Sequence, residues 1–276
     1  MHSDCRFRFL WVLLAPLVPA CAAFGQSAGT GTAVVALRSP GLLMAAVDSE
    51  ETTVVYRNGA AAGHRNMCKV TRAGPFFAIV AGLAHGWDGR SDGDDASPFD
   101  ALREAENAWR PGDTLDSLVA RIGESFPRRL IPLLEAYYRA DPAEYARHYR
   151  GQSVLQFLLL GTERGAPQAR IVEFLELGTS DAPMLVVRDG GCPQDCAAPH
   201  NAWFLGTHDR IDAFVRSHNS AIRENDERNL DRLIALEYED RPDIVGGPVS
   251  IVKVDRAGGT LVRGGACSLP PSKLQP

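Results

Sequence analysis

The chain has 276 residues, 45% hydrophobic and 23% charged, with six cysteines. This composition excludes long disorder, a collagen repeat and a coiled coil. A net charge of −5 disfavours a general binder of nucleic acid or of anionic membranes.

Met1 to Ala23 reads as a secretory signal. Arg6 and Arg8 form a short basic region, Phe9 to Val18 is an apolar run broken only by Pro16, and Ala20-Cys21-Ala22-Ala23 supplies small residues. The apolar run falls short of the roughly 20 residues a membrane helix needs, so a retained anchor is the weaker alternative. A lipid anchor on Cys21 is a second alternative that Pro19 fits poorly. Removal of residues 1–22 leaves Cys68, Cys192, Cys196 and Cys267, an even count that suggests disulfides in an oxidising compartment. Four cysteines allow three pairings, and the tight Cys192-Pro-Gln-Asp-Cys196 loop makes a local bridge plausible among them. Cys192, Cys196 and His200 also offer a metal-binding spacing, but with no fourth ligand at a matching position.

The mature chain opens with two short apolar strands, Ala33 to Arg38 and Leu42 to Val47, turning at Ser39-Pro40-Gly41. Thr52 to Arg57 reads as a third strand and 57–66 as a loop. Cys68 to Arg72 and Phe76 to Ala81 form a second hairpin pattern. Residues 86–98 are a Gly/Asp-rich loop without the closing Glu of a calcium loop. A helix is expected over Asp100 to Trp109. A stronger one carries Leu115, Leu118, Val119, Ile122 and Phe126 on one face, capped by Asp113 or Thr114. Helix continues over Arg128 to Tyr149, limited by Pro132 and Pro142. Strands return at Val154 to Gly161, Ala169 to Leu177, Met184 to Arg188 and Ala202 to Leu205. Helical faces follow over Ile211, Phe214, Val215, His218 and Ile222, and over Glu227 to Tyr238. Pro248 to Asp255 and Thr260 to Arg263 close the chain. This order fits an α+β fold of two antiparallel sheets with helices on their outer faces, in one domain from residue 32 to 276.

No P-loop, G-x-S-x-G elbow, H-E-x-x-H or Rossmann glycine run is present. The opening hairpin is more specific. Gly31-Thr32-Ala33-Val34-Val35-Ala36-Leu37 is followed by Leu43-Met44-Ala45-Ala46-Val47-Asp48-Ser49, with Asp48 sixteen residues after Thr32. Cys68-Lys69-Val70, Ala81-Gly82-Leu83, Gly206-Thr207-His208 and Asp243-Ile244-Val245-Gly246-Gly247 come later in the same order. Over about 34–265 this set resembles proteasome β-type subunits, members of the N-terminal-nucleophile hydrolases. In that family an Asp-x-x-Ser-Gly-Gly run stands where Asp243 begins the last set, so Gly246 replaces a Ser. Thr207 stands in the family's Gly-Ser-Gly. Lys69 lies further from Thr32 than the family's Lys, a difference the 57–66 loop would absorb.

The resemblance implies a four-layer αββα sandwich and a short propeptide, residues 23–31, cut before Thr32. Thr30 is a rival new N-terminus, but the Asp48 spacing favours Thr32. It further implies catalytic roles for Thr32, Asp48, Lys69, Gly82, Thr207 and Asp243, with no cofactor and no metal. The chemistry is coherent: a Thr hydroxyl needs a base, and a free α-amine, with an ordinary pKa of about 7.7–8.0, is partly available as one near neutral pH. Lys69 beside it favours the neutral amine, Asp48 pairs with Lys69, and the Gly82 N–H faces an oxyanion. The expected protein is an exported threonine-type hydrolase of a peptide or small amide. It needs no nucleic acid, and no membrane once the signal is gone. Homo-oligomers are compatible with the resemblance, although the 86–98 and 178–200 loops would obstruct or replace the family's ring contacts. The alternatives are a binding or scaffold protein that keeps the fold without catalysis, favoured by Gly246 and the displaced Lys69, and a metal enzyme using Cys192, Cys196 and His200.

Overall fold

The computed structural model describes residues 27–55, 60–87, 98–177 and 182–269. The export signal, Cys21 and residues 88–97 of the Gly/Asp loop lie outside the described residues.

The first strands in chain order are β1 (Ser27–Thr30), β2 (Ala33–Ser39), β3 (Leu42–Val47), β4 (Glu50–Val55) and β5 (Ala60–Asn66). They are followed by β6 (Val70–Ala73), β7 (Phe76–Gly82), β8 (His85–Trp87) and β9 (Phe99–Asp100). Four helices come next: α1 (Ala101–Ala108), α2 (Leu115–Ser125), α3 (Pro127–Ala140) and α4 (Pro142–His148). Then come β10 (Ser153–Glu163), β11 (Ala166–Glu176), β12 (Leu185–Gly191), β13 (Asn201–Gly206), α5 (Asp209–Ser217), α6 (Glu227–Asp240), β14 (Ser250–Asp255) and β15 (Gly258–Arg263).

Helices and antiparallel sheets together make the described residues a mixed α+β fold. One sheet has the order β13-β2-β3-β14-β15 and another β12-β11-β10-β7-β6. Alternate residues of these strands point to opposite faces, and both faces are covered. Val34, Ala36, Val47, Phe77, Ile79, Leu158 and Leu160 form a core between the two sheets. The other face of the second sheet meets Leu118, Ile122, Leu130 and Leu134 of the α2–α3 pair. The other face of the first sheet meets Ile211, Leu230 and Leu233 of α5 and α6. The layers therefore run helices, sheet, sheet, helices.

The helices form where caps and spacing agree. Thr114 caps α2 in a reciprocal pair with Ser117, and Leu115, Leu118 and Ile122 are buried at helical spacing. Asp141 accepts from Ala143 N and Glu144 N to start α4, with Pro142 in its first turn. Pro132 does not stop α3 as the sequence suggests. It sits in the second turn, where it removes only one early hydrogen bond. The α5 face ends sooner than the apolar spacing implies. The Ser217 hydroxyl turns back onto Ala213 O and Phe214 O, His218 leaves helical geometry, and Asn219–Ile222 tighten into a 3-10 turn.

The expectation of two sheets needs correction. A third sheet has the order β5-β4-β1-β8-β9. Its β5 occupies most of the span read as a loop, because pairing with β4 overrides the weak strand propensity of Ala60–Asn66. Its β8 takes up the start of the Gly/Asp loop. Its β1 lies in the stretch read as a propeptide and pairs antiparallel with β4 on one side and β8 on the other.

Candidate active site

The open end of the two-sheet sandwich holds a cleft of about 860 Å³, and Thr32, Gly82, Thr207 and Asp243 all line it. Thr32 is positioned by β2 and by the end of β13. It directly precedes β2, its carbonyl accepts from Thr207 N at 2.8 Å, and Gly206 packs against that carbonyl. A Cβ on Gly206, whose φ is +70°, would stand 2.1 Å from Thr32 O, so only glycine allows this approach.

Asp48 lies at the end of β3 with its side chain buried. The β2–β3 register puts Val47 opposite Val34, which brings Asp48 beside the start of β2. Its Oδ1 accepts from Ala33 N at 2.9 Å, and its Oδ2 accepts from Gly246 N at 3.0 Å and Glu50 N at 3.2 Å. Lys69 is 1% exposed. Its ammonium donates to Asp48 Oδ1 at 3.0 Å, to Gly31 O at 2.9 Å and to Glu50 O. Burial pushes Lys69 below the ordinary lysine range, while Asp48, Glu51 and Glu50 oppose the shift. The longer interval between Thr32 and Lys69 is taken up by the β4–β5 excursion, and Lys69 still reaches Asp48.

Gly31 O accepts from the Thr32 hydroxyl as well as from Lys69. Thr32 and Lys69 thus meet at the carbonyl of the Gly31–Thr32 peptide bond, and Asp48 holds the Lys69 ammonium there. Gly31 itself has φ +92°, and a Cβ there would meet Ile244 O at 2.7 Å.

Gly82 ends β7 with φ +91°, and a Cβ would meet Val154 O at 2.5 Å. The glycine is therefore required by the neighbouring strand, not only by access to the cleft. Thr207 contributes its backbone N–H to Thr32. Asp243 stands apart from the Thr32–Asp48–Lys69 group. Its carboxylate is exposed and pairs with Arg241 at 3.3 Å, which holds it below the ordinary aspartate range, while its backbone carbonyl accepts from Thr52 Oγ1 at 3.1 Å. Gly246, where the resemblance leads one to expect a Ser, acts through its backbone. Its N–H binds Asp48, and its carbonyl accepts from Ser49 N and Glu50 N.

Behind Lys69, buried Glu51 accepts from His85 Nδ1 at 2.9 Å and Arg65 Nε at 2.5 Å. Burial alone would raise the Glu51 carboxyl, but His85 and Arg65 hold it below the usual range. It adds a second fixed negative charge near Lys69.

The sequence reading did not single out Gln156 and Glu173, which also line the cleft. Their signal is visible in retrospect: each interrupts an apolar strand run, Val154-Leu155-Gln156-Phe157 and Ile171-Val172-Glu173-Phe174. The β10–β11 register sets them opposite one another.

Cys68 is bonded to Cys267, and Cys192 to Cys196. The second bond uses both thiols of the Cys192-Cys196-His200 spacing, which removes its thiolate ligands. No helix among the described residues is long and apolar enough to cross a membrane. No protein-family model matches the chain, and no curated protein matches it.

Proposed function

We propose that the protein is an exported threonine-type hydrolase of peptides or small amides, with the N-terminal-nucleophile αββα fold related to proteasome subunits, activated by cleavage before Thr32. The observation that carries the reading is the buried Lys69 ammonium, held by Asp48 and donating to Gly31 O. A cation on that carbonyl stabilises the oxyanion formed when Thr32 Oγ attacks its carbon.

In the activation step a C–O bond forms, the Gly31–Thr32 C–N bond breaks, and the hydroxyl proton passes to the leaving nitrogen. Water then hydrolyses the ester, freeing the Thr32 hydroxyl and α-amine. In turnover that amine accepts the Oγ proton as Oγ attacks a substrate carbonyl and returns it to the leaving nitrogen. Lys69 favours the neutral amine by charge, Asp48 fixes Lys69, and the Gly82 N–H serves the oxyanion. Water releases the acyl group. The two disulfides support export, because such bonds persist in oxidising compartments.

The test is the mature N-terminus. Intact-mass measurement of the exported protein is expected to find Thr32 first, and Thr32→Ala is expected to retain Gly31. A wild-type chain starting near Ala23, or a Thr32→Ala chain still cut after Gly31, would leave the binding-protein reading in its place.

A further inference from the structure

Ala81, Gln156, Glu173 and Arg188 stand in one row across β7, β10, β11 and β12. The row ends beside Gly82. Glu173 is two strand spacings from Ala81, roughly 10 Å between Cα atoms.

A hydrogen-bond chain ties this row to Thr32. Gln156 Nε2 donates to Glu173 Oε1 at 3.1 Å, and Gln156 Oε1 accepts from Gly206 N at 2.8 Å. The next residue, Thr207, donates its N–H to Thr32 O. The orientation of Gln156 is thereby fixed at both ends, and with it the place of the Glu173 carboxylate relative to Thr32.

Glu173 differs from the other acids of the cleft in what covers it. Glu144 is held by Arg147 at 2.5 Å and His148 at 3.2 Å. Asp243 is held by Arg241. Glu173 Oε2 has Arg188 only at 4.0 Å, and that side chain is 61% exposed. At this separation, with Arg188 exposed to solvent, the pair contributes little. Glu173, with its side chain 23% exposed, therefore offers an oriented anionic oxygen toward a cleft whose other carboxylates are already paired.

We propose that the Gln156–Glu173 pair is the specificity subsite for a cationic group of the substrate, a protonated amine or guanidinium on a long side chain. The assignment rests on the reading of Thr32 as nucleophile. A basic side chain reaching Glu173 leaves its backbone carbonyl beside Gly82 and Thr32, and a guanidinium can take both Glu173 oxygens.

The experiment uses the processed protein and capped peptidyl coumarin amides that differ only in Arg, Leu or Glu before the scissile bond. Arg is expected to exceed Leu in kcat/KM by about tenfold or more, the scale of one charge-assisted hydrogen bond. Glu173→Gln is expected to abolish most of that ratio through a raised KM for the Arg substrate. Equal or better use of the Leu or Glu substrate by the wild type overturns the assignment, as does an equal loss on all three substrates in Glu173→Gln. A separate arm titrates Thr32→Ala with arginine amide and norleucine amide by calorimetry. Arginine-amide binding that Glu173→Gln removes supports the subsite, even if no amide is turned over and the hydrolase reading falls. Turnover with equal binding of the two amides overturns the subsite and leaves the hydrolase reading standing.

Discussion

At the scale of single residues the site depends on one buried ion pair. Lys69 and Asp48 are each almost without solvent, so neither charge is hydrated once its partner is gone. Asp48 keeps three backbone donors, which places the cost of losing Lys69 at the lower end of the range for buried pairs. Lys69→Met is expected to lower stability by about 3 kcal/mol, read from the guanidinium midpoint. The same variant should leave Gly31 attached to Thr32 by intact mass, because the carbonyl loses its cation. Thr32 and Asp48 were legible in the sequence because both belong to one hairpin, where spacing nearly determines contact. Lys69 was legible only by order. The partnership of Gln156 with Glu173 depends on the register of two long strands, which neither strand states alone.

Among the elements, close approach of backbones decides where substitution is tolerated. Gly206 and Gly165 share nearly the same left-handed conformation, φ +70° and +73°. A Cβ on Gly165, in the β10–β11 turn, meets nothing within 4 Å, whereas one on Gly206 collides with Thr32 O. Gly165→Ala is therefore expected to cost only the backbone term, about 1–2 kcal/mol. Gly206→Ala should cost clearly more by the same denaturant measurement and slow cleavage before Thr32; equal costs would show that the Thr32 contact is soft. The α2 and α6 helices were readable because apolar residues recur at helical spacing from Leu115 and from Leu230, in α2 behind the Thr114 cap; the Asp141 cap between α3 and α4 was not. The third sheet was not, since Ala60–Asn66 carries no alternating apolar pattern and is a strand only through β4. The early end of α5 was hidden for the opposite reason: an apolar face continued past residues whose side chains compete for the backbone.

For the whole molecule the two disulfides differ greatly in reach. Cys68–Cys267 spans a sequence separation of 199, and Cys192–Cys196 only 4. In the chain-entropy account the long bridge contributes about 5 kcal/mol and the short one roughly 2 kcal/mol. The Cys68→Ser/Cys267→Ser double variant is expected to lose more in guanidinium midpoint than Cys192→Ser/Cys196→Ser; the reverse order would mean that native contacts, not chain closure, set their worth. The short bridge was legible in the tight Cys192–Cys196 loop, whereas Cys68–Cys267 was not, because only the fold brings those two distant residues together.

The long bridge also fixes how the molecule would carry tension. The covalent ring it closes contains β6 through β15 and α1 to α6, while β1 to β5 lie on the tail outside it. A pull on the two ends runs along the tail to Cys68, across the sulfurs, and out at Cys267. The ring is bypassed. The tail would detach first, drawing β2 and β3 out from between β13 and β14 and taking Thr32 and Asp48 away from Lys69, so the site would be dismantled while most of the fold remained closed.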